Sequence, residues 1–286
     1  MKTRFIFPSA CILLLILASE IATAQWYVIP DLQHANIECL TVANDTLVFV
    51  GGQQGLLLRS TDSGQHWQNI WGGSLSDTIL ALGTAGGYIF AGTYGLYSVH
   101  RSTDNGTTWA ISNTGLPGTM QAHAFAATDT KLFVAGDYGV YSSTDWGESW
   151  AADTTGLDIN PQFPGDHSST TVGITSVSGQ IYTIRRNWEG VYTSRADTVV
   201  WSSIGLSTNS GFSIVSIDTN VFAGTQSGIF LYGGDGSTWI PRNDSLPGLF
   251  DDCILATVDS FLVAYIVGDG GSGVYVTSDR AELEEG

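Results

Sequence analysis

Short apolar runs separated by glycine-containing turns recur along most of the chain. Residues 47–51, 88–92 and 132–136 are such runs, and each is followed within a few residues by a second short apolar segment. No repeat sustains an apolar period of 3.6 residues over ten or more positions, which an amphipathic helix would require. The pattern therefore predicts an all-β chain of short strands joined as hairpins.

Three segments align without gaps after these hairpins: residues 59–67, 101–109 and 142–150, which share S-T-D-x-G-x-x-W and are called here the S-T-D turns. We expect each Asp to accept backbone N–H groups within its own turn, each Gly to take a positive φ, and each Trp to cover the hairpin. Calcium binding is the alternative, but the spacing lacks the several oxygen ligands that calcium needs. The residues concerned are Asp62, Gly64, Trp67, Asp104, Gly106, Trp109, Asp145, Gly147 and Trp150.

Weaker copies extend the repeat to the end of the chain. The corresponding Asp residues fall at 62, 104, 145, 197, 235 and 279, so the period is 38 to 52 residues. This length accommodates four short strands, the content of one propeller blade. A solenoid of strand–helix repeats is the alternative, and the lack of helical periodicity argues against it. Residues 25–279 are thus predicted to form a single β-propeller of about six four-stranded blades.

S-x-D-x-G-x-x-W is the Asp-box, and with it the chain resembles the BNR/Asp-box propeller superfamily over nearly all of residues 25–279. That superfamily includes sialidases, photosystem II assembly factors and sortilin-like propellers. The resemblance implies a propeller in which the motif forms the turn between the third and fourth strands of a blade. The motif is specific for the fold and carries little information about a reaction.

The sialidase reaction is one expectation that the resemblance raises. It implies an arginine triad, a Tyr nucleophile paired with Glu, an acidic proton donor, and an Arg-Ile-Pro motif near the start of the domain. Here residues 27–30 read Tyr-Val-Ile-Pro, so Val28 stands where the first arginine belongs. Valine cannot form a bidentate clamp on a carboxylate. We therefore assign no catalytic residue.

The first 24 residues have the features of a secretory signal peptide. Lys2 and Arg4 precede an apolar core at 12–17, and Ala22-Thr23-Ala24 offers small residues for cleavage before Gln25. An uncleaved membrane anchor is the alternative, but the apolar run is shorter than the ~20 residues a spanning helix needs. The rest of the chain has no such stretch. We expect an exported protein, secreted or periplasmic, with no membrane span.

The two ends of the mature chain bear on ring closure. The sixth repeat reaches Ser278 and Asp279 without a Trp-bearing fourth strand, and residues 26–29 look like that missing strand. Pairing them into blade six would remove both sheet edges; an ordered arm is the alternative. Residues 280–286 are either an acidic tail or part of a longer propeller.

Cys39 and Cys253 each lie six residues before an Asp in the first turn of their repeat, which suggests equivalent positions on innermost strands. In a closed ring of six blades the first and last are neighbours, so a disulfide across the seam is conceivable in an oxidising compartment. Two small buried hydrophobic side chains are the favoured interpretation.

Charge and composition exclude several classes of partner. The net charge is −17, and only 13% of residues are charged. Such a surface repels phosphate backbones, so nucleic acid is not expected as a partner. The five histidines show no metal-ligand spacing, and no phosphate-binding glycine loop precedes a helix. We expect a monomer without metal or cofactor.

Together these features favour an exported, non-catalytic binding or assembly module for an extracellular protein or glycan. The alternative is a carbohydrate-active glycoside hydrolase, sialidase-like with a degenerate or non-standard site, since abundant aspartates leave a carboxylate pair open.

The fourth repeat supplies the candidate ligand-binding residues. Its inner loop, residues 185–189, departs most from the other repeats, and Arg and Trp dominate interface hot spots. The alternative is that the arginines pair with acidic neighbours and the Trp covers a blade edge. The candidates are Arg185, Arg186, Trp188 and Glu189, with Tyr94 and Tyr138 as possible stacking platforms.

Overall fold

The computed structural model describes residues 36–44, 46–70, 77–95, 98–157, 170–187, 189–244, 246, 248–258, 261–268 and 271–276. The expected signal peptide, the expected closing strand at 26–29, and the tail at 280–286 lie outside these residues. So do two single positions from the sequence interpretation, Val28 and Trp188. The described residues form six antiparallel sheets and contain no helix.

Each sheet is one blade, and its strands follow one another in chain order. Blades one to three comprise β1 (Ile37–Val42), β2 (Val48–Gly52), β3 (Leu57–Ser60), β4 (Gln68–Asn69); β5 (Thr78–Ala85), β6 (Tyr88–Tyr94), β7 (Val99–Ser102), β8 (Ala110–Ile111); β9 (Ala122–Ala127), β10 (Leu132–Gly136), β11 (Gly139–Ser143) and β12 (Ala151–Ala152). Blades four to six comprise β13 (Thr171–Val177), β14 (Gln180–Arg185), β15 (Gly190–Arg195), β16 (Ser202–Ser203); β17 (Gly211–Ile217), β18 (Asn220–Thr225), β19 (Gly228–Tyr232), β20 (Trp239–Pro241); β21 (Phe250–Val258), β22 (Phe261–Gly268) and β23 (Gly271–Val276). The sheets are arranged as a six-bladed β-propeller, which confirms the predicted fold class; in the described part of the chain the sixth blade has three strands.

The position of a strand in its blade explains its sequence. The first strands, β1, β5, β9, β13, β17 and β21, pack on one another in succession and lie innermost. Second strands such as β2 and β10 are buried on both faces because a blade contacts a neighbour on each side. They therefore read as continuous apolar runs. The outer strands have only two or three residues and are mostly exposed.

The hydrophobic core lies between successive blades. One cluster joins blades three and four around Phe133, Ile181 and Trp201, and another joins blades five and six around Phe222 and Phe250. The blades approach closely at small residues. A Cβ at Gly92, at the end of the second strand of blade two, would lie 2.6 Å from the carbonyl oxygen of Ala122. Glycine is required there because the backbone of blade three leaves no room for a side chain.

A tryptophan at the start of the outer strand ties each of three blades to the blade before it. Its indole Nε1–H donates to the carbonyl of the residue that follows the preceding outer strand. The pairs are Trp150 to Ser112 (2.8 Å), Trp201 to Asp153 (2.7 Å) and Trp239 to Ile204 (2.7 Å). The tryptophan that recurs at the start of each of these outer strands thus makes the same contact between neighbouring blades.

The seam between blades six and one differs from the other five interfaces. In the described part of the chain, β21 does not pack on β1 as each earlier inner strand packs on the next. The large apolar side chains exposed on blades one and six are Leu40, Val42, Ile254, Val274 and Val276, between 41% and 54% exposed. Blade six therefore presents an apolar face and, at β23, an unpaired outer edge among the described residues.

Cys39 and Cys253 are free thiols. Their expected equivalence is wrong by one position, because Cys39 pairs with the last-but-one residue of β2, Gly51, whereas Cys253 pairs two residues before the end of β22, with Ile266. A shift of one residue turns a side chain to the opposite face of its sheet. Cys39 Sγ therefore lies against the Ile79 carbonyl of blade two, and burial raises the pKa of both thiols.

Candidate functional site

The propeller has two faces of different character. Because the strands of a blade run alternately up and down, the loops after second strands emerge at one end together with the connections between blades. This end is called here the mouth face. The S-T-D turns follow third strands and emerge at the other end, the turn face. Of the repeat-four candidates, the described residues Arg185, Arg186 and Glu189 belong to the mouth face.

The S-T-D turns are closed hydrogen-bonded units, as the sequence predicted. In the second turn, Asp104 Oδ1 accepts the Thr108 backbone N–H at 2.8 Å, and Asp104 Oδ2 accepts the Thr108 hydroxyl at 2.7 Å. Ser102 Oγ donates to Asp104 at 2.9 Å and accepts the Gly106 N–H at 2.8 Å. The other two turns repeat these bonds at Asp62 and Asp145.

The backbone of these turns takes positive φ at two consecutive positions. Gly106 has φ 79°, as expected, but Asn105 before it has φ 56°. Ser63 and Trp146 occupy the same position in the other turns, with φ 58° and 53°. The sequence did not indicate this second left-handed residue, because serine and tryptophan rarely adopt that conformation.

The carboxyl of each S-T-D turn has a pKa of about 2, below its ordinary value. The cause is hydrogen bonds donated by the residue four positions later in the chain; the pairs are Asp62 with His66, Asp104 with Thr108, and Asp145 with Ser149. Donors to the ionised form favour that form. The carboxylates are therefore acceptors within their own turns.

Arginines link successive S-T-D turns. Arg59 Nη1 donates to the Asn105 carbonyl at 2.9 Å and to Thr107 Oγ1 at 3.1 Å. Arg101 repeats the arrangement one blade later, donating to the Trp146 carbonyl and pairing with Glu148. The polar groups of the turn face thus bind one another, which indicates a structural role.

Every inner strand carries a β-bulge at its mouth end. One residue has no partner on the second strand, and regular pairing resumes at the next residue. A bulge re-aims the extra side chain and is common next to binding sites. These six bulge residues, called here the bulge ring, are Glu38, Leu80, His123, Val172, Phe212 and Asp251.

The bulge ring is the part of the mouth face that sequence reasoning missed. All six side chains are partly or fully exposed, whereas five of the six residues that precede them are buried. Unlike the S-T-D turns, the ring repeats a backbone geometry without repeating a residue type. No motif could have revealed it, because the bulge is visible only in the strand pairing.

The repeat-four loop combines a buried pair with an exposed arginine. Arg185 is fully buried; its Nη2 lies 2.6 Å from Glu189 Oε2, and its guanidinium lies 5.7 Å from the ring centre of Tyr192. Arg186 is exposed. Arg185 and Glu189 therefore shape the loop, and Arg186 is the member of this pair of arginines that a ligand can reach.

The two tyrosine candidates lie on the same face in blades two and three. Tyr94 is 55% exposed. The Tyr138 hydroxyl is 2.9 Å from Thr119 Oγ1. Beside Tyr138, the buried carboxylate of Asp137 lies 2.9 Å from Nε2 of the bulge residue His123. The mouth face of blade three thus joins an aromatic ring to a fixed His–Asp pair.

The described residues contain no group of three or more His, Cys, Asp or Glu side chains placed to hold a metal ion. They also contain no helix long and apolar enough to cross a membrane.

Similar proteins are found by structure. No protein-family profile and no curated protein sequence matches the chain. The chain superposes on YCF48 bound to D1 peptide with a TM-score of 0.60 and 16% identity, covering 86% of this chain and 79% of that one. What they share is the β-propeller fold.

Two larger proteins contain a similar propeller. The extracellular domain of a putative one-component system from B. thetaiotaomicron has a TM-score of 0.61 and 11% identity, over 88% of this chain and 34% of that one. The GH74 xyloglucanase from Xanthomonas campestris has a TM-score of 0.61 and 13% identity, over 86% of this chain and 45% of that one. This chain spans less than half of either. Identities this low establish the fold alone.

Proposed function

We propose that this chain is an exported, non-catalytic propeller of the Asp-box kind that binds a protein or glycan ligand on its mouth face. The bulge ring carries the proposal. Six repeats of one backbone geometry expose six side chains of different types, and the exposed Arg186 lies in a loop on the same face. Interfaces of this kind use Arg and aromatic anchors.

The turn face supports the proposal by contrast. The carboxylates of its S-T-D turns, together with Arg59 and Arg101, are engaged in bonds within and between those turns. The S-T-D sequence and this geometry are what we expect of Asp-box turns. A ligand would find fewer available polar groups there than at the mouth.

Export is part of the proposal and rests on residues 1–24. A leader cleaved after Ala24 would leave Gln25 at the N-terminus. N-terminal sequencing of material recovered outside the cytoplasm tests this, and a protein still beginning at Met1 would contradict it.

The similar structures favour binding without naming a ligand. YCF48 was solved with a D1 peptide, which shows that a propeller of this kind can hold a peptide. The GH74 enzymes keep glycoside hydrolysis as the second candidate. The absence of a sialidase-type arginine at Val28 weighs against a sialidase reaction.

Arrays of peptides and of glycans, probed with residues 25–286, test the function. For any ligand found, Arg186→Ala and Trp188→Ala should each weaken binding at least tenfold, about 1.4 kcal/mol, with unchanged thermal unfolding. Arg195→Ala is the matched control, because Arg195 is also exposed but lies at the turn face, beside Asp197. Binding by both variants at wild-type affinity would refute the assignment, and hydrolysis of a glycan would establish the second candidate.

A further inference from the structure

A pocket of about 280 Å³ opens on the mouth face where blades four, five and six meet. Cavities for whole small molecules measure about 300–1,000 Å³, so this one fits a single side chain or sugar ring. It lies beside the repeat-four loop, which contributes Asn187. Its lining residues are Asn187, Ser210, Phe212, Gln226, Phe250 and Asp251.

Main-chain hydrogen bonds fix the walls of the pocket. The Gln226 N–H donates to the Ser210 carbonyl at 3.0 Å, and the Phe250 N–H donates to the Gln226 carbonyl at 2.9 Å. Phe250 is 1% exposed and belongs to the core shared by blades five and six. The pocket is therefore formed before any ligand arrives, which reduces the entropy lost on binding.

Two members of the bulge ring give the pocket its chemistry. Phe212 and Asp251 are the bulge residues of adjacent blades, and they place an aromatic ring beside an exposed carboxylate. No lining residue is basic. Asn187, Ser210 and Gln226 add side-chain oxygens that can accept hydrogen bonds.

Two carboxyl groups, Asp251 and Asp252, lie at or beside the pocket near one cation, Arg186. Burial raises the pKa of the neighbouring Asp252, and the charge of Arg186 acts in the opposite direction on that same carboxyl. Among the described residues no basic side chain forms an ion pair with Asp251. The whole chain carries a net charge of −17.

We infer that this pocket is the subsite for a lysine or arginine side chain of a protein ligand. The aliphatic stem packs on Phe212, and the cation meets the carboxylate of Asp251 together with the face of the aromatic ring. The negative field of the protein attracts such a ligand before contact. This inference rests on the proposed binding function and narrows it from a protein or glycan to a protein with a basic side chain.

Small capped amino acids test the subsite directly by protein-observed NMR. N-acetyl-arginine methylamide and N-acetyl-lysine methylamide should shift the resonances of Phe212, with affinity falling as salt rises. N-acetyl-citrulline methylamide has the shape of the arginine probe without its charge, and it should bind at least about tenfold more weakly.

Asp251→Asn should weaken the arginine probe at least about tenfold, since it removes the charge at nearly constant shape. Asp129→Asn is the control, an exposed carboxylate in the turn between β9 and β10 on the opposite face, and it should leave binding unchanged. Thermal unfolding of both variants should match the wild type.

Three results would overturn the inference: equal binding of the citrulline and arginine probes, full binding by Asp251→Asn, or no binding of either cation up to about 50 mM, far above the millimolar range expected of a weak site. Methyl glucoside at the same resonances, without binding of the cations, would refute the cation while leaving the proposed binding function intact. If no peptide and no glycan on the arrays bound to the protein, by contrast, the proposed function itself would be refuted.

Discussion

At the scale of single residues, the S-T-D turns show how four side chains close a turn by hydrogen bonds. The carboxylate of Asp104 receives one backbone and one hydroxyl donor from Thr108, and Ser102 bridges the carboxylate to Gly106 N–H. The indole of Trp109 then donates to the Gly106 carbonyl at 3.1 Å. Each group satisfies another, so the loss of one leaves its partners without a bond.

Asp104→Ala should therefore lower stability, because it removes the acceptor of the hydrogen bonds from Ser102 and Thr108. Trp109→Ala, at a half-buried side chain, should cost less than the roughly 3–5 kcal/mol of a fully buried tryptophan. Urea unfolding measures both. Asp129→Ala, in another turn on the same face, is the control and should change stability by less than about 0.5 kcal/mol. Either variant keeping full stability while losing only ligand affinity would contradict the structural role.

The three S-T-D aspartates, together with Asp197 and Asp235, predict a loss of stability in acid. Five carboxyls have folded pKa values of about 2, below their ordinary value of 3.8. As the pH falls through this window the unfolded chain takes up protons that the folded chain does not, so the folded state loses stability. The contribution is fully present above about pH 4 and is lost by about pH 2.

Melting temperatures measured from pH 5 to about pH 2 test this. Asp104→Asn removes one of the five groups and should have a shallower dependence on pH than the wild type. Identical slopes for the two proteins would show that these carboxyls do not govern the acid response.

At the scale of elements, two arginine–glutamate pairs on opposite faces differ in burial. The side chains of Arg185 and Glu189 are 0% and 27% exposed, whereas those of Arg101 and Glu148 are 14% and 67% exposed. Removal of one partner from a buried pair costs about 3–5 kcal/mol, while exposed pairs contribute about 0–1 kcal/mol.

Glu189→Gln should accordingly destabilise the protein by up to about 3 kcal/mol, because the Arg185 charge stays buried; Glu189 is itself 27% exposed, which reduces the loss. Glu148→Gln, the matched change, should cost no more than about 1 kcal/mol. Chemical unfolding of the two variants makes the comparison. Equal losses would mean that burial of Arg185 does not set the strength of its pair.

At the scale of the whole molecule, one tryptophan contact repeats between blades and indicates how the sixth blade is completed. Trp150, Trp201 and Trp239 each donate to the residue after the preceding outer strand. The position equivalent to those acceptors after β20 is Arg242, and the loop that follows resembles the loop after β8: N-D-S-L-P-G at 243–248 against N-T-G-L-P-G at 113–118. In both loops the Asn side chain accepts a third-strand N–H, from Val99 and from Ile229.

We propose that residues 26–29 supply the fourth strand of blade six, with Trp26 donating to the Arg242 carbonyl. Trp26 precedes β1 by 11 residues, close to the 12 residues from Trp67 to Ile79 and the 13 from Trp109 to Ala122. A protein lacking residues 25–30 should lose about 3–5 kcal/mol of unfolding free energy, the loss expected for removal of a buried tryptophan. The deletion also exposes the edge of β23.

Differential scanning calorimetry of the shortened protein measures the loss. A peptide of residues 25–33 added in trans should restore the melting temperature, and the same peptide with Trp26→Ala should not. An unchanged melting temperature after the deletion would rule out this closure.

Much of the architecture was predictable because it depends on local chemistry that repeats. The S-T-D turns could be located from three residue types at fixed spacing, since their bonds close within nine residues. The apolar second strands were equally visible, because burial on both faces requires uninterrupted hydrophobic runs. The face that carries the loops after second strands followed from the alternation of strand direction.

The candidate site was predictable only in part. Arg186 and the rest of the repeat-four loop stood out as departures from the repeat, but Arg185 looked the same as Arg186 in sequence and is buried instead. The reason is its place as the last residue of β14, a second strand whose final three residues are all buried, where its guanidinium lies over the ring of Tyr192. The positions of Cys39 and Cys253 were misassigned for a related reason. They were counted from the turn that ends the inner strand, whereas the strand pairing shows that they differ by one residue when counted from the bulge at its start.

The sequence by itself determined a chain of repeated four-stranded units, their turns and a strongly acidic surface, because each of these depends on short-range spacing or on composition. Only the tertiary structure decided which side chains meet at the mouth. The bulge ring arises from pairing between two strands and brings together residues about 40 positions apart, so Phe212 and Asp251 become neighbours although no local pattern connects them. The arrangement of side chains on the mouth face is set by that long-range register, which no local repeat encodes.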